Sequence, residues 1–158
     1  MTIVLVEPEI PQNTGTIARL CAVTGVGLEL VHPLGFSLDD KRLRRAGLDY
    51  WPHLNVREHT SLAAFIRERD RAVAEEGARF FYFSRRGALR HTDVAWKQDD
   101  MLVFGRESSG LDLDALAAPP EAAVRIPMRA GLRSLNLANA ASVAVYEAHR
   151  QLGFPGLE

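Results

Sequence analysis

The sequence predicts an α/β fold in which a mostly parallel sheet carries helices on both faces, built as a single domain of residues 1–158. Short apolar runs alternate with helix-length segments along the whole chain. Glycines follow two of these segments directly, where helices end, at Gly25 and Gly77. Because no repeat, low-complexity tract or linker interrupts the pattern, we expect one domain.

The predicted elements follow in order along the chain. Strands are expected at residues 2–6, 28–31, 79–83, 101–104 and 123–126, with a weaker one at 54–57. Helices are expected at residues 14–24, 39–46, 61–76 and 135–152, with a short one at 111–116. Ser37 and Asp40 resemble a variant capping box for the second helix.

Composition is that of an ordinary globular protein, with 47% hydrophobic and 25% charged residues and a net charge of -1. No apolar run is long enough to cross a bilayer, and the first strand lacks the basic flank of a signal peptide, so we expect a cytoplasmic protein. The single cysteine, Cys21, lies among apolar residues at helical spacing and is expected to be a buried small hydrophobe.

Basic residues are clustered although the net charge is near zero. The clusters are Lys41, Arg42, Arg44 and Arg45, then Arg85, Arg86 and Arg90, then Arg129 and Arg133. They are either contacts for nucleic acid phosphates or solvated helix faces with pairs such as Asp40 and Arg44.

Four polar, glycine-containing segments follow predicted strands, at residues 7–15, 84–87, 105–110 and 126–136. Ligands in such sheets bind beyond the carboxyl ends of the strands, so chemistry is expected where these segments meet. The helix after the last segment carries only Asn139 and Ser142 as polar residues over 137–146. Such a helix needs cover on more than one side, and a second copy of the chain could provide it.

Within these segments, Asn13 is expected to be a helix N-cap. Arg19 would then reach back beside Gly15 toward the site, unless it is an ordinary surface arginine. Glu107 is the carboxylate expected to face the site, and an orienting role is favoured over acid–base catalysis. The five histidines lack ligand spacing, and neither a phosphate-binding glycine motif nor a nucleophile motif occurs, so no metal is expected.

Three segments together resemble the motifs of the SPOUT RNA 2′-O-methyltransferases: residues 13–19, residues 104–111, and residues 126–128 with 133–139. The similarity is greatest to the subgroup that methylates the tRNA wobble nucleotide, cytidine or modified uridine 34. It extends over nearly the whole chain. The resemblance implies an α/β-knot fold with a C-terminal trefoil knot, a homodimer, and S-adenosylmethionine as cosubstrate.

The resemblance also assigns roles to residues. Cofactor contacts are implied for Phe83, Gly105, Ile126, Ser134, Met128 and Leu135, the last two lining an adenine slot. The family's use of its motif-one arginine implies that Arg19 acts as the base, with Ser134 and Asn136 assisting. Asn13 and Glu107 are also expected at the catalytic site, and Tyr146 is expected to support the dimer interface or the site. The tRNA anticodon stem–loop is expected to contact Lys41, Arg42, Arg44, Arg45, Arg86, Arg129 and Arg133.

Two positions depart from the commoner subgroup pattern: Ser109, where arginine is frequent, and Arg86, where lysine is frequent. Both bear on the choice of RNA rather than on the reaction. The alternatives are a SPOUT enzyme for another tRNA or ribosomal RNA position and a non-catalytic RNA- or nucleotide-binding module.

Overall fold

The computed structural model describes residues 1–38, 54 and 56–158. The strands in the described part are β1 (Thr2–Val6), β2 (Gly27–Val31), β3 (Val56–His59), β4 (Phe80–Phe83), β5 (Leu89–Arg90), β6 (Met101–Phe104) and β7 (Ala123–Arg125). The α-helices there are α1 (Pro11–Thr24), α2 (Leu62–Glu76) and α3 (Leu137–Leu152), and a 3₁₀ turn spans Pro120–Ala122.

The seven described strands form one sheet in the order β3-β2-β1-β6-β4-β7-β5. Every pair of neighbouring strands is parallel. Strand β1 lies between β2 and β6, so the loops that follow β1 and β6 leave the same edge of the sheet side by side. This placement brings together two polar segments that are far apart in the sequence.

Hydrophobic cores cover both faces of the sheet, as the alternation of side chains along β1 requires. Ile3 and Leu5 belong to the larger core, together with apolar residues of α1 and α3. Val4 and Val6 point into the smaller core, where Phe65 of α2 packs. The predicted parallel sheet with helices on both faces is therefore confirmed.

Most predicted strands match closely, and the differences have physical reasons. Strand β5 was not predicted, since two residues carry no readable periodicity. The weak strand expected at 54–57 lies at Val56–His59 instead. The short helix expected at 111–116 is wrong: this stretch forms turns, with the Leu116 amide bonded to the Asp112 carbonyl, and Ala117 then takes a φ of 45° that ends any helical run. The predicted helix at 39–46 lies outside the described residues, as does Asp40 of its expected capping box.

The prediction that Asn13 caps α1 is also wrong. The helix begins earlier, with Ile10 as N-cap and Pro11 in the first turn. Proline suits that position, because its fixed φ is helical and its missing amide would have had no partner there. Asn13 is buried inside the first turn, so its side chain is available for a contact with another loop.

The helix ends and Cys21 follow the expectations. Gly25 and Gly77 both adopt left-handed conformations after their helices, with φ of 71° and 67°. Cys21 is fully buried, and burial raises the pKa of its thiol to about 12, so it behaves as a small hydrophobe. Among the described residues, no helix is long and apolar enough to cross a membrane.

Candidate active site

Three loops meet at the carboxyl edge of the sheet through a chain of three side chains. The Asn13 amide nitrogen Nδ2 donates to Glu107 Oε1 over 2.9 Å. Asn136 Nδ2 donates in turn to Asn13 Oδ1, also over 2.9 Å. The first turn of α1, the loop after β6 and the start of α3 are thereby joined at one point.

The Glu107 carboxylate is fixed by three N–H donors. Besides Asn13 Nδ2, it accepts from the backbone amides of Glu9, at 2.8 Å, and Ile10, at 3.3 Å. Both carboxylate oxygens are used in this way, so Glu107 holds the loop after β1 in position against the loop after β6. This geometry favours the orienting role over acid–base catalysis.

Asn136 caps α3 and links it to the rest of the site. Its Oδ1 accepts from the backbone amides of Ala138, at 2.9 Å, and Asn139, at 3.3 Å. Because Oδ1 is engaged at the helix terminus, the orientation of the amide is set, and Nδ2 faces Asn13. An amide nitrogen carries two hydrogens, so Asn136 retains one donor for a ligand and no acceptor.

A second set of contacts joins the same two loops further out. Glu9 accepts from both the backbone amide and the hydroxyl of Ser108, at 2.9 Å and 2.8 Å. These bonds lower the pKa of the Glu9 carboxyl. Arg106 pairs with Glu7, whose φ of 51° lies in the left-handed region. Sequence reasoning named Glu107 but missed Glu9 and Ser108, whose only signal was their place in the polar segments after β1 and β6.

Glycine is required where the loop after β6 closes on itself. A Cβ on Gly105 would lie 2.3 Å from the carbonyl carbon of Gly110. Gly110 itself has a φ of 74°, and its amide donates to the Arg106 carbonyl. The loop can therefore close only with a glycine at position 105, which keeps Glu107 at its tip.

The residues expected to contact a cofactor lie at the end of β4, directly after β6 and in the loop that follows β7. Phe83, at the end of β4, stacks on Phe104 with ring centroids 4.5 Å apart. Residues 126–136 lie outside helix and strand, and Ser134, Met128 and Leu135 are exposed there. Ile126 and Met128 line a pocket of about 270 Å³ next to this loop.

The other expected site residues lie on α1, on α3 and in the loops after β4 and β7, or fall outside the described residues. Arg19 is exposed on α1 in the same stripe as Gln12 and Thr16, one turn beyond buried Gly15. Tyr146 is 48% exposed on α3. Arg86, Arg129 and Arg133 are exposed in the loops after β4 and β7, whereas Lys41, Arg42, Arg44 and Arg45 lie outside the described residues.

No group of three or more metal-binding side chains occurs among the described residues. The Asn13–Glu107–Asn136 network consists of amides and one carboxylate that is already filled with donors. Such an arrangement can orient a ligand and donate a hydrogen bond to it.

The order and spacing of these three loops match a known family. The model of the SpoU rRNA methylase family matches residues 1–146. The chain belongs to the SpoU methylase family. This membership confirms the resemblance drawn from the three motifs, and it places the Asn13–Glu107–Asn136 network in a methyltransferase.

Relatives of this SpoU methylase cover the chain almost completely. The tRNA (cytidine(34)-2′-O)-methyltransferase of Yersinia pestis is 50% identical, over 99% of this chain and 96% of the relative. The enzyme of the same name from Escherichia coli strain K12 is also 50% identical, with the same coverage of both chains.

Solved structures give the same fold. One, described as giving structural insights into the 2-OH methylation of C/U34 on tRNA, is 48% identical with a TM-score of 0.86, covering 96% of this chain and 95% of that one. The SpoU methyltransferase AviRb from Streptomyces viridochromogenes, solved in complex with the cofactor AdoMet, is 27% identical with a TM-score of 0.83. That match covers 96% of this chain and 60% of AviRb.

Proposed function

We propose that this chain transfers a methyl group from S-adenosylmethionine to the ribose 2′-hydroxyl of the tRNA wobble nucleotide, cytidine or modified uridine 34. The observation that carries the proposal is the hydrogen-bonded chain Asn136–Asn13–Glu107, which joins the three family motifs into one site. Relatives named for this reaction match the site segments and nearly all of the remaining chain.

The loop after β7 suits the methyl donor. Its side chains include exposed apolar ones, Met128, Leu132 and Leu135, while its backbone lies outside the ladders of the sheet and helices. Apolar walls with backbone polar groups beside them fit an adenine ring, which stacks and hydrogen-bonds at its edge. Phe83, Gly105, Ile126 and Ser134 would hold the rest of the molecule, largely through backbone groups.

When bound, S-adenosylmethionine supplies an electrophilic methyl group. The task of the protein is to align the ribose hydroxyl with it, and such alignment contributes about 7–11 kcal/mol to lowering a barrier. A positioned proton acceptor contributes about 3–5 kcal/mol. Placement by the fixed network therefore matters more than base strength.

The residues of this chain divide that task. Asn136 donates its remaining N–H to an oxygen in the site and cannot act as a base, because its oxygen caps α3. Arg19 stabilises the developing alkoxide and anchors the neighbouring phosphate, since an arginine stays protonated and is unsuited to accept the proton. The proton leaves through a phosphate oxygen, Ser134 or water.

The RNA and the oligomer complete the proposal. The exposed arginines Arg86, Arg129 and Arg133 and the basic segment with Lys41, Arg42, Arg44 and Arg45 bind the tRNA anticodon stem–loop, whose phosphates and splayed bases suit arginine. The chain acts in the cytoplasm as a homodimer, in which a second copy covers the exposed apolar side chains of α3.

The test is methyl transfer to bulk tRNA by the purified protein, followed by nucleoside analysis, with donor binding measured by calorimetry. We expect donor binding and 2′-O-methylated nucleoside at position 34. Methylation at another tRNA position or of ribosomal RNA would replace the proposed substrate. Donor binding without transfer to any RNA would favour a non-catalytic module.

A further inference from the structure

A pocket of about 270 Å³ between the loops after β4 and β7 has three arginines in its wall. Arg85 comes from the first loop, Arg125 from the end of β7, and Arg129 from the second loop. The remaining lining residues are apolar, and none is acidic. Three positive charges thus share one small opening beside Ile126 and Met128.

No carboxylate among the described residues balances these charges. The described arginines that do form ion pairs lie elsewhere: Arg57, Arg69, Arg79, Arg90, Arg106 and Arg150. Arg85 and Arg129 are exposed and Arg125 is half-buried, so an anion that binds between them would meet three positive charges from solvent. The lining of the pocket therefore carries positive charge and no acidic side chain.

Two of the three arginines are held in position by carbonyl groups. Arg125 Nη1 donates to the carbonyls of Gly87, at 2.6 Å, and Ala88, at 2.7 Å. Arg85 Nη2 donates to the Leu132 carbonyl at 3.2 Å. Carbonyl oxygens orient a guanidinium without neutralising it, so the charges of Arg85 and Arg125 are placed before any ligand arrives.

The walls of the pocket are packed tightly as well. A Cβ at Gly87 would lie 2.3 Å from the backbone carbon of Val124, so only glycine lets the loop after β4 lie against β7. The same loop carries Arg85. The loop that carries Arg85 is therefore fixed against β7 by close backbone packing.

We propose that the arginine pocket, formed by Arg85, Arg125 and Arg129, binds a phosphodiester group of the RNA substrate. This inference rests on the proposed function, according to which RNA binds at this edge of the sheet. A guanidinium group can donate two parallel hydrogen bonds to two oxygens of the same phosphate group. The carboxylate of the methyl donor offers related oxyanion chemistry, and the experiment separates the two.

The test uses the double variant Arg85→Gln/Arg129→Gln, which leaves the carbonyl contacts of Arg125 intact. Arg67→Gln/Arg71→Gln on α2 removes the same charge from positions outside the pocket and is the matched control. The affinity of each protein for an anticodon stem–loop RNA is measured over a series of salt concentrations. The affinity for S-adenosylmethionine is measured by calorimetry.

We expect the pocket variant to bind the RNA on the order of tenfold more weakly. The slope of log K against log salt is negative, and its magnitude should decrease by about 0.7 for each phosphate that the variant no longer neutralises. Donor affinity should fall less than RNA affinity, because Ile126 and Met128, the pocket residues proposed to hold the donor, are unchanged. The control variant should change the slope less. A single neutral methylphosphonate linkage at the contacted phosphate should then weaken binding to the wild-type protein but not to the pocket variant.

Two results would overturn the proposal. A loss of donor affinity with an unchanged RNA slope would assign the pocket to the donor carboxylate. If the pocket variant lowers RNA affinity no more than the control variant does, the three arginines contribute only general surface charge. The proposed function fails by a different measurement, the absence of methyl transfer to tRNA by the wild-type protein.

Discussion

At the scale of single residues, the site depends on which atoms of its amides are already engaged. Glu107 accepts hydrogen bonds from three N–H groups, one of them from Asn13. Asn13 accepts in turn from Asn136, whose own side-chain oxygen accepts from the first amides of α3. The direction of hydrogen bonding is therefore fixed from one end of the network to the other. This leaves proton transfer to groups outside the network.

Arg19 provides the first prediction at this scale. If it stabilises negative charge rather than accepting the proton, Arg19→Lys keeps the essential charge and gives up only the two-pronged geometry toward phosphate. We expect kcat/KM to fall by about tenfold and the shape of the pH profile to stay the same. Arg19→Gln, which removes the charge, should cost on the order of a thousandfold.

Methyl-transfer rates measured from about pH 6 to 9 distinguish the charge model from the model in which Arg19 is the base. Near-full turnover of Arg19→Lys over that range would rule out arginine as the base. A new ionisation in the pH profile of Arg19→Lys would contradict the charge model, because it would show that the residue exchanges a proton during catalysis.

At the scale of secondary structure elements, the start of α3 serves two purposes at once. Asn136 caps the helix and also donates to Asn13. Ser61 caps α2 in a similar way, by accepting from the Ala64 amide at 3.2 Å, and lies on a helix outside the site. The two caps allow stability and activity to be separated.

We expect Asn136→Ala and Ser61→Ala each to lower the free energy of unfolding by about 1 kcal/mol, the usual effect of losing a cap. Only Asn136→Ala should also reduce kcat, by about a hundredfold. Asn136→Asp should keep the cap and hence the stability, yet lose activity, since an oxygen would then face Asn13 Oδ1. Urea unfolding and methyl-transfer rates measure both effects, and full activity of Asn136→Asp would contradict the assigned role.

The elements also show what sequence reasoning can and cannot predict. Strands such as β1 and β6 were predicted with their observed bounds, because their apolar runs are bounded by polar loops. The start of α1 was misplaced because Asn13 has the side chain of a good cap, and only a contact with Glu107 shows that it is used elsewhere. Local sequence cannot reveal a partner 94 residues away.

The same limit applies to the site. The polar segments and motifs named Asn13, Glu107 and Asn136 one by one as candidate site residues, and the family match confirms the resemblance to the SPOUT enzymes. Their connection depends on strand order, with β1 beside β6, and periodicity carries no information about strand order. The trefoil knot implied by the resemblance stays a prediction for the same reason, because a knot is a property of the chain path.

At the scale of the whole molecule, α3 presents apolar side chains to the outside as well as to the core. Ala141, Ala144 and Val145 are fully buried, whereas Val143 is 40% exposed and Tyr146 is 48% exposed. The sequence predicted this distribution from the scarcity of polar residues in the helix. The outward-facing side chains are the part of the molecule that a second copy would cover.

Val143→Asp tests the proposed homodimer, and Val73→Asp on α2 is the matched control, since Val73 is 48% exposed. A carboxylate buried at a subunit interface without a partner is strongly unfavourable. We therefore expect Val143→Asp to convert the dimer into a monomer in analytical ultracentrifugation, while Val73→Asp keeps the mass of the wild type. A wild-type monomer, or an unchanged mass for Val143→Asp, would contradict the dimer.

The hydrogen bond between Asn136 and Asn13 spans 123 residues, and this span has a consequence for synthesis of the protein. While the chain is still being made on a ribosome, the early strands can pair and α1 can form before the last part of the sequence has emerged. The Asn13–Glu107–Asn136 network cannot form at that stage, because Asn136 has not yet been translated. Under the proposed function, a nascent chain therefore acts on RNA only after its C-terminal helix has folded.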